Sequence, residues 1–293
     1  LASKKVWGRR LIITNKNQKN NPNLPIRNNL TLMYSLSLVI AALVAISSVI
    51  GILYQKIIYP TEELIQSFLA TDIVNLFIGL PILLGSMWLT RRQKLIGLLF
   101  WPGALFYVLY INIIYVFGLP FNLGLLLHLL LLILTIYALI GLLANLDGVM
   151  IQGRLSGAVQ ERLSGGVLAG LGTAFFLLVV GEFASAQVNG TPIPKTELAL
   201  LMADSLISPA WVIGGVLLWR RKEFGYMTGL GLLYQASMLF IGLIVLIILQ
   251  PFLTSRPFVL NDVIMILIFS LISFIPLILF GRGVISGHSS KGT

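Results

Sequence analysis

From Leu95 to Leu146 the chain runs 52 residues without an Asp, Glu, Lys or Arg. A spanning helix needs roughly 20 apolar residues, so a run this long holds two of them. Gly118-Leu119-Pro120-Phe121-Asn122 divides it with a turn-type cluster. Eight such helices are predicted along the whole chain, over about 34–54, 64–90, 95–117, 121–146, 166–186, 198–219, 225–250 and 262–281. The apolar runs are continuous, which marks helices and not barrel strands of alternating polarity. Composition agrees: 57% of the residues are hydrophobic and 10% charged, with a mean hydropathy of +0.96. A soluble chain carries about 25% charged residues, so a soluble enzyme, a disordered chain and a disulfide scaffold are excluded.

The chain has no cysteine, which removes disulfides, thiolate metal sites and cysteine nucleophiles. Its formal charge is +10. With the N-terminus on the cytoplasmic side, 17 Lys/Arg fall in inner segments and 3 (Lys56, Lys195, Arg256) in outer ones. That asymmetry is the positive-inside pattern. It puts both termini in the cytoplasm and explains the basic charge without nucleic acid. The expected class is an all-α integral membrane bundle of about eight transmembrane helices, in a cell membrane. Its partners are the lipid bilayer and either a membrane protein or further copies of itself.

The expected layout has five parts. Residues 1–30 form a basic cytoplasmic tail with seven Asn between 15 and 29. It reads either as a disordered tail or as an over-extended frame with Met33 as the start. Residues 31–147 and 163–283 form two four-helix membrane units. A cytoplasmic linker, 148–162, joins them, and 284–293 form a second tail.

The two units share an order of residues. Pro60-Thr-Glu-Glu-Leu-Ile-Gln-Ser-Phe-Leu-Ala-Thr-Asp72 matches Pro194-Lys-Thr-Glu-Leu-Ala-Leu-Leu-Met-Ala-Asp204. Pro81 and Gly85 then match Pro209 and Gly215. Trp88 and Arg91-Arg92 match Trp219 and Arg220-Arg221. Gly97 and Tyr107 match Gly225 and Tyr234. The units lie four spans apart, an even number, so they predict parallel repeats about an axis along the membrane normal. The stretch Asp72-Ile-Val-Asn-Leu-Phe-Ile-Gly-Leu-Pro81, with Trp-Leu-Thr-Arg-Arg, Trp101-Pro-Gly-Ala-Leu-Phe-Tyr-Val-Leu-Tyr110 and Phe121-Asn122, resembles a widespread group of uncharacterised prokaryotic multi-pass membrane proteins. The resemblance covers about residues 60–145. It implies an integral membrane fold and transfers no activity.

Ionisable groups inside spans are costly and therefore mark functional candidates. Between Asp72 and Arg91 lie 18 uncharged residues, about 27 Å of helix, which lets Asp72 reach the outer interface. Asp262 and Glu182 read the same way. Between Asp204 and Arg220 lie 15, about 22 Å, so either Asp204 lies within the core or Arg220 snorkels. Ser208 shares the face of Asp204, and Asn75, Gly79 and Ser86 share that of Asp72. The two polar stripes either face each other across an acidic, outward-open vestibule or pack the bundle by interhelical hydrogen bonds. His128 is a further candidate, read either as a neutral, backbone- or tyrosine-bonded side chain or as part of the solute site. The candidates for substrate or ion binding are thus Asp72, Asn75, Asp204, Ser208 and His128. Arg91, Arg92, Arg220 and Arg221 are candidates for anchoring lipid phosphates. No catalytic residue, metal ligand set or cofactor motif is identified. Three functional readings follow in order: a transporter or channel-like protein for a cation, proton or amine-bearing solute; a membrane scaffold or accessory subunit; and a lipid-acting membrane enzyme.

Overall fold

The computed structural model describes residues 24–253 and 260–286. Most of the N-terminal tail, Arg256, Lys291 and the Asp262 side chain lie outside the described residues. Among the described residues, eight helices are long and apolar enough to cross a membrane, and the fold is an all-α, multi-pass membrane bundle.

The elements follow in chain order. Helix α1 (Thr31–Leu53) is followed by a short α2 (Gln55–Ile58). The second span is composite: α3 (Glu62–Val74), one π-helical turn (Asn75–Gly79) and α4 (Leu80–Arg91). Then come α5 (Leu95–Gly118), α6 (Leu123–Ala144), the short α7 (Gly148–Leu155), α8 (Glu161–Asn189), α9 (Lys195–Trp219), α10 (Glu223–Leu253) and α11 (Leu260–Ser286). The π turn has a local cause. A helical proline lacks an N–H and crowds the carbonyl four residues earlier. For Pro81 that is Phe77, and the widened turn falls on it.

Helix α5 occupies the centre, packed by α4, α6, α9 and α10. Its most apolar window is 78% buried, against 22–44% in the other spans. The first half of α10 is its counterpart, with every residue from Gly225 to Met238 buried. The two helices touch backbone to backbone. A Cβ on Gly231 would lie 2.8 Å from the Cα of Gly103, so only glycine permits this approach.

The turns leading into these two helices are alike. Gln93 (φ 60°) and Arg221 (φ 55°) both take the left-handed conformation. Lys94 N–H donates to Leu89 O and Gln93 N–H to Thr90 O, each at 3.0 Å. Lys222 N–H donates to Leu217 O at 2.8 Å and Arg221 N–H to Leu218 O at 2.9 Å. Both are Schellman caps. Glycines 97 and 225 follow, each pressed against the preceding helix. Every one of these pairs is separated by 128 residues, as are Pro81 and Pro209 and Gly103 and Gly231.

Residues 145–162 are more ordered than a linker of Gly, Ser, Arg and Glu suggests. Asp147 caps α7, accepting from Met150 N–H at 3.0 Å, and Ile151 and Leu155 are buried. Ile26 bridges Leu146, and Arg27 N–H donates to Asn145 O at 2.8 Å. The described end of the N-terminal segment is thus pinned to the start of the linker.

Candidate functional site

The polar side chains of the second, fourth and sixth spans converge on α5. Asp72, near the end of α3, is 1% exposed. Tyr115 of α5 donates to its Oδ1 at 2.7 Å, and Tyr59 to its Oδ2 at 2.6 Å. Tyr59 stands just ahead of α3, whose first turn is capped by the Thr61 hydroxyl. The carboxylate also needs Gly51 of α1, because a Cβ there would occupy the same space. Both oxygens are therefore partnered from within residues 31–147.

A file of rings continues from this carboxylate. Phe68 stacks on Tyr115 at 4.7 Å, and Tyr115 lies flat on His128 at 3.9 Å and 5°. His128 Nδ1 is 2.9 Å from Asn112 Oδ1. Asn112 uses its amide N–H to reach Val108 O at 2.8 Å. Its Oδ1 is thus left as an acceptor, which assigns the proton to His128 Nδ1. His128 thereby joins the fourth span to the third.

Asp204 of α9 is 6% exposed. Tyr110 of α5 donates to its Oδ1 at 2.9 Å, and among the described residues this is its one hydrogen bond. Asn75, at the head of the π turn, accepts from Tyr107 at 2.8 Å. Ser208, one turn from Asp204, is 1% exposed, and its hydroxyl meets no partner among the described residues. Trp211 donates to Gln235 Oε1 at 2.6 Å, leaving Gln235 Nε2 without a partner. Such orphaned groups are uncommon in protein interiors.

The two acids therefore lie on different helices, α3 and α9, and each bonds to a tyrosine of the central helix α5. Tyr107, Tyr110 and Tyr115 turn their hydroxyls to Asn75, Asp204 and Asp72 respectively. The side chains of Asp72, Asn75, Ser86, Asp204 and Ser208 are all buried, at 1–6% exposure. Among the described residues, no lysine or arginine forms an ion pair with either acid. No three potential metal-ligating side chains come together among them.

The arginine candidates lie at the other end of the bundle. Arg91 covers the ring of Tyr34 at 4.7 Å, and Arg92 covers Trp88 at 4.9 Å. Arg220 is exposed. Arg221 reaches Glu161 at 3.9 Å, a carboxylate that also accepts from Tyr226 at 3.0 Å and from Gly157 N–H at 2.8 Å.

Tyr59, Gly51, Gln235 and Glu161 were not among the residues singled out by sequence reasoning. Tyr59 had a signal, since it directly precedes the Pro60 motif. Gln235, an amide inside an apolar span, had one too. Gly51 and Glu161 had none, because their roles depend on which helix packs beside them. Comparisons with family models, curated proteins and solved structures return no match for the chain.

Proposed function

We propose that this protein passes a proton, a cation or an amine-bearing small solute across a prokaryotic plasma membrane, as a transporter or channel-like protein. Asp72 and Asp204 are its charged groups in this reading. The observation that carries it is the setting of these two acids: buried among membrane spans, partnered by tyrosine hydroxyls, and without a paired base among the described residues. Carboxylates in that setting are expensive, and function is the usual reason for keeping them. Asp204, with a single hydrogen bond and an orphaned hydroxyl one turn away, is the exchanging group.

The same reading takes residues 31–147 and 163–283 as parallel repeats with both termini cytoplasmic. The constant 128-residue offset of the paired turns supports the repeat, and the charge asymmetry supports the orientation. The vestibule is then a state reached when the outer ends of the halves part. Those ends are tied by Thr196, whose hydroxyl donates to the Glu63 carboxylate.

The test uses the absence of cysteine. Asp72→Cys, Asn75→Cys, Asp204→Cys and Ser208→Cys, one per variant, are exposed in intact cells to a membrane-impermeant thiol reagent. Labelling at 204 and 208 is expected. Absence of labelling at both overturns the reading. In parallel, thermal stability of the purified protein should depend on pH or cations, and Asp204→Asn should abolish that dependence. A second reading, a scaffold or accessory subunit, draws on the two tyrosine hydroxyls held by Asp72, one on each oxygen, which resembles packing more than exchange. Stoichiometric co-purification of one membrane partner favours it.

A further inference from the structure

On one side of the Gly103–Gly231 contact, α5, α6, α9 and α10 enclose an apolar groove of about 210 Å³. Its floor is the two glycines, and its rim carries Ile213 and Phe224, 56% and 45% exposed. Thr228 stands in its wall, with its hydroxyl already committed to Phe224 O at 2.8 Å. A groove with no polar partner to offer does not hold ordered water. An apolar cavity of about 150 Å³ accepts benzene, so this one has room for the end of an alkyl chain.

The opposite side of the same contact is filled. Moving each lining position by 128 residues puts Phe100 in the place of Thr228 and Tyr234 in that of Phe106. Those two rings pack edge to face at 5.5 Å. Phe224 maps to Ile96, whose neighbour is Gly281 of α11. At this position a threonine lines the groove where the other side has a phenylalanine. The volume that two rings occupy on one side is left, on the other, to something the chain does not supply from its described residues.

We propose that the groove holds one acyl chain of a phospholipid, drawn from the leaflet that meets the 219–223 turn. The groove lies on membrane spans and its rim opens outward from the bundle. Its end at Phe224 is two residues from the exposed Lys222, with exposed Arg220 beyond it, where a lipid phosphate would be met by positive charge. An unfilled groove would forfeit the dispersion contacts of its lining. The lipid wedges the seam between the first four spans and the last four, beside the point where they touch most closely. This site is separate from the acidic one and does not depend on its function.

Purified full-length protein, kept in mild detergent and examined by native mass spectrometry with phospholipid extraction, tests this. Wild type is expected to retain one phospholipid per chain. Thr228→Phe copies the filled side and should lower occupancy at least tenfold, while Phe100→Thr should open a second groove and raise the retained number. Should Thr228→Phe fail to fold, Ile213→Trp blocks the half-exposed rim without touching the seam and should give the same loss. Wild type without phospholipid overturns the proposal. So does a folded Thr228→Phe or Ile213→Trp variant with unchanged phospholipid content.

Discussion

Asp72 and Asp204 enter comparable spans from matching sequence motifs, yet the protein treats them differently. Asp72 lies nine residues before Pro81, and Asp204 five before Pro209. Measured from the paired inner turns, Asp204 is about one helical turn, some 6 Å, deeper. Asp72 is closed off by two hydroxyls from its own half and by Gly51. Asp204 receives one hydroxyl, from the other half, and keeps a free oxygen among the described residues. At the 128-residue register the partner of Tyr110 is Met238, which has nothing to donate to the second span. Two acids of common pattern thus become a locked group and a loosely held one. The central helix gives each acid one tyrosine; the difference lies in Tyr59, ahead of α3, which takes the second oxygen of Asp72.

The largest test of this contrast is removal of each acid. Asp72→Ala strands two buried hydroxyls, each costing about 1–3 kcal/mol. Asp204→Ala strands one. Unfolding in detergent should show Asp72→Ala losing about twice as much stability, and equal losses would dissolve the distinction. Next is Gly51→Val, which forces side-chain atoms into the carboxylate. It should cost about 1–3 kcal/mol by overpacking, and a double-mutant cycle with Asp72→Ala should be strongly non-additive. Gly51→Val should leave labelling of Ser208→Cys unchanged.

Tyr110→Phe has a smaller expected effect, about 0.5–1.5 kcal/mol for one hydrogen bond. It should also increase thiol labelling of Ser208→Cys, because it removes the one tether of Asp204 to the first half. Tyr115→Phe should not change that labelling. The smallest effect is a gain. Gln93→Gly relieves a left-handed non-glycine residue and should add about 0.5–1 kcal/mol in the same unfolding measurement. Its failure to stabilise would argue that the Gln93 side chain itself supports the turn.

Several fold features were legible beforehand. The span predicted over 64–90 is Glu62–Arg91, and that over 95–117 is Leu95–Gly118. Where prediction and structure diverge, polar groups are responsible. Helix α8 begins at Glu161, ahead of the predicted 166, because that acid is held by Gly157 N–H and Tyr226 and can stay inside the bundle. The linker hides an eight-residue helix, too short for periodicity to announce. Of the candidate site, the two acids with Asn75, Ser208 and His128 were visible in advance. Their pairing was not: the stripe containing Asp72 and Asn75 turns to Tyr115 and Tyr107, and Asp204 to Tyr110.

The linear order of residues was enough to establish a membrane protein of eight helices, since crossing a bilayer depends on the length and polarity of each segment taken alone. The recurring order of Pro, Gly and Arg was equally present in one dimension. Lateral arrangement decided everything else. In an apolar solvent every face of a span is greasy, so hydropathy does not say which face meets which neighbour. That choice is made by glycines that let backbones touch and by hydroxyls that find acceptors across the bundle. It placed α5 at the centre, shut Asp72 behind two tyrosines, left Asp204 with one, and filled one side of the seam while leaving the other open.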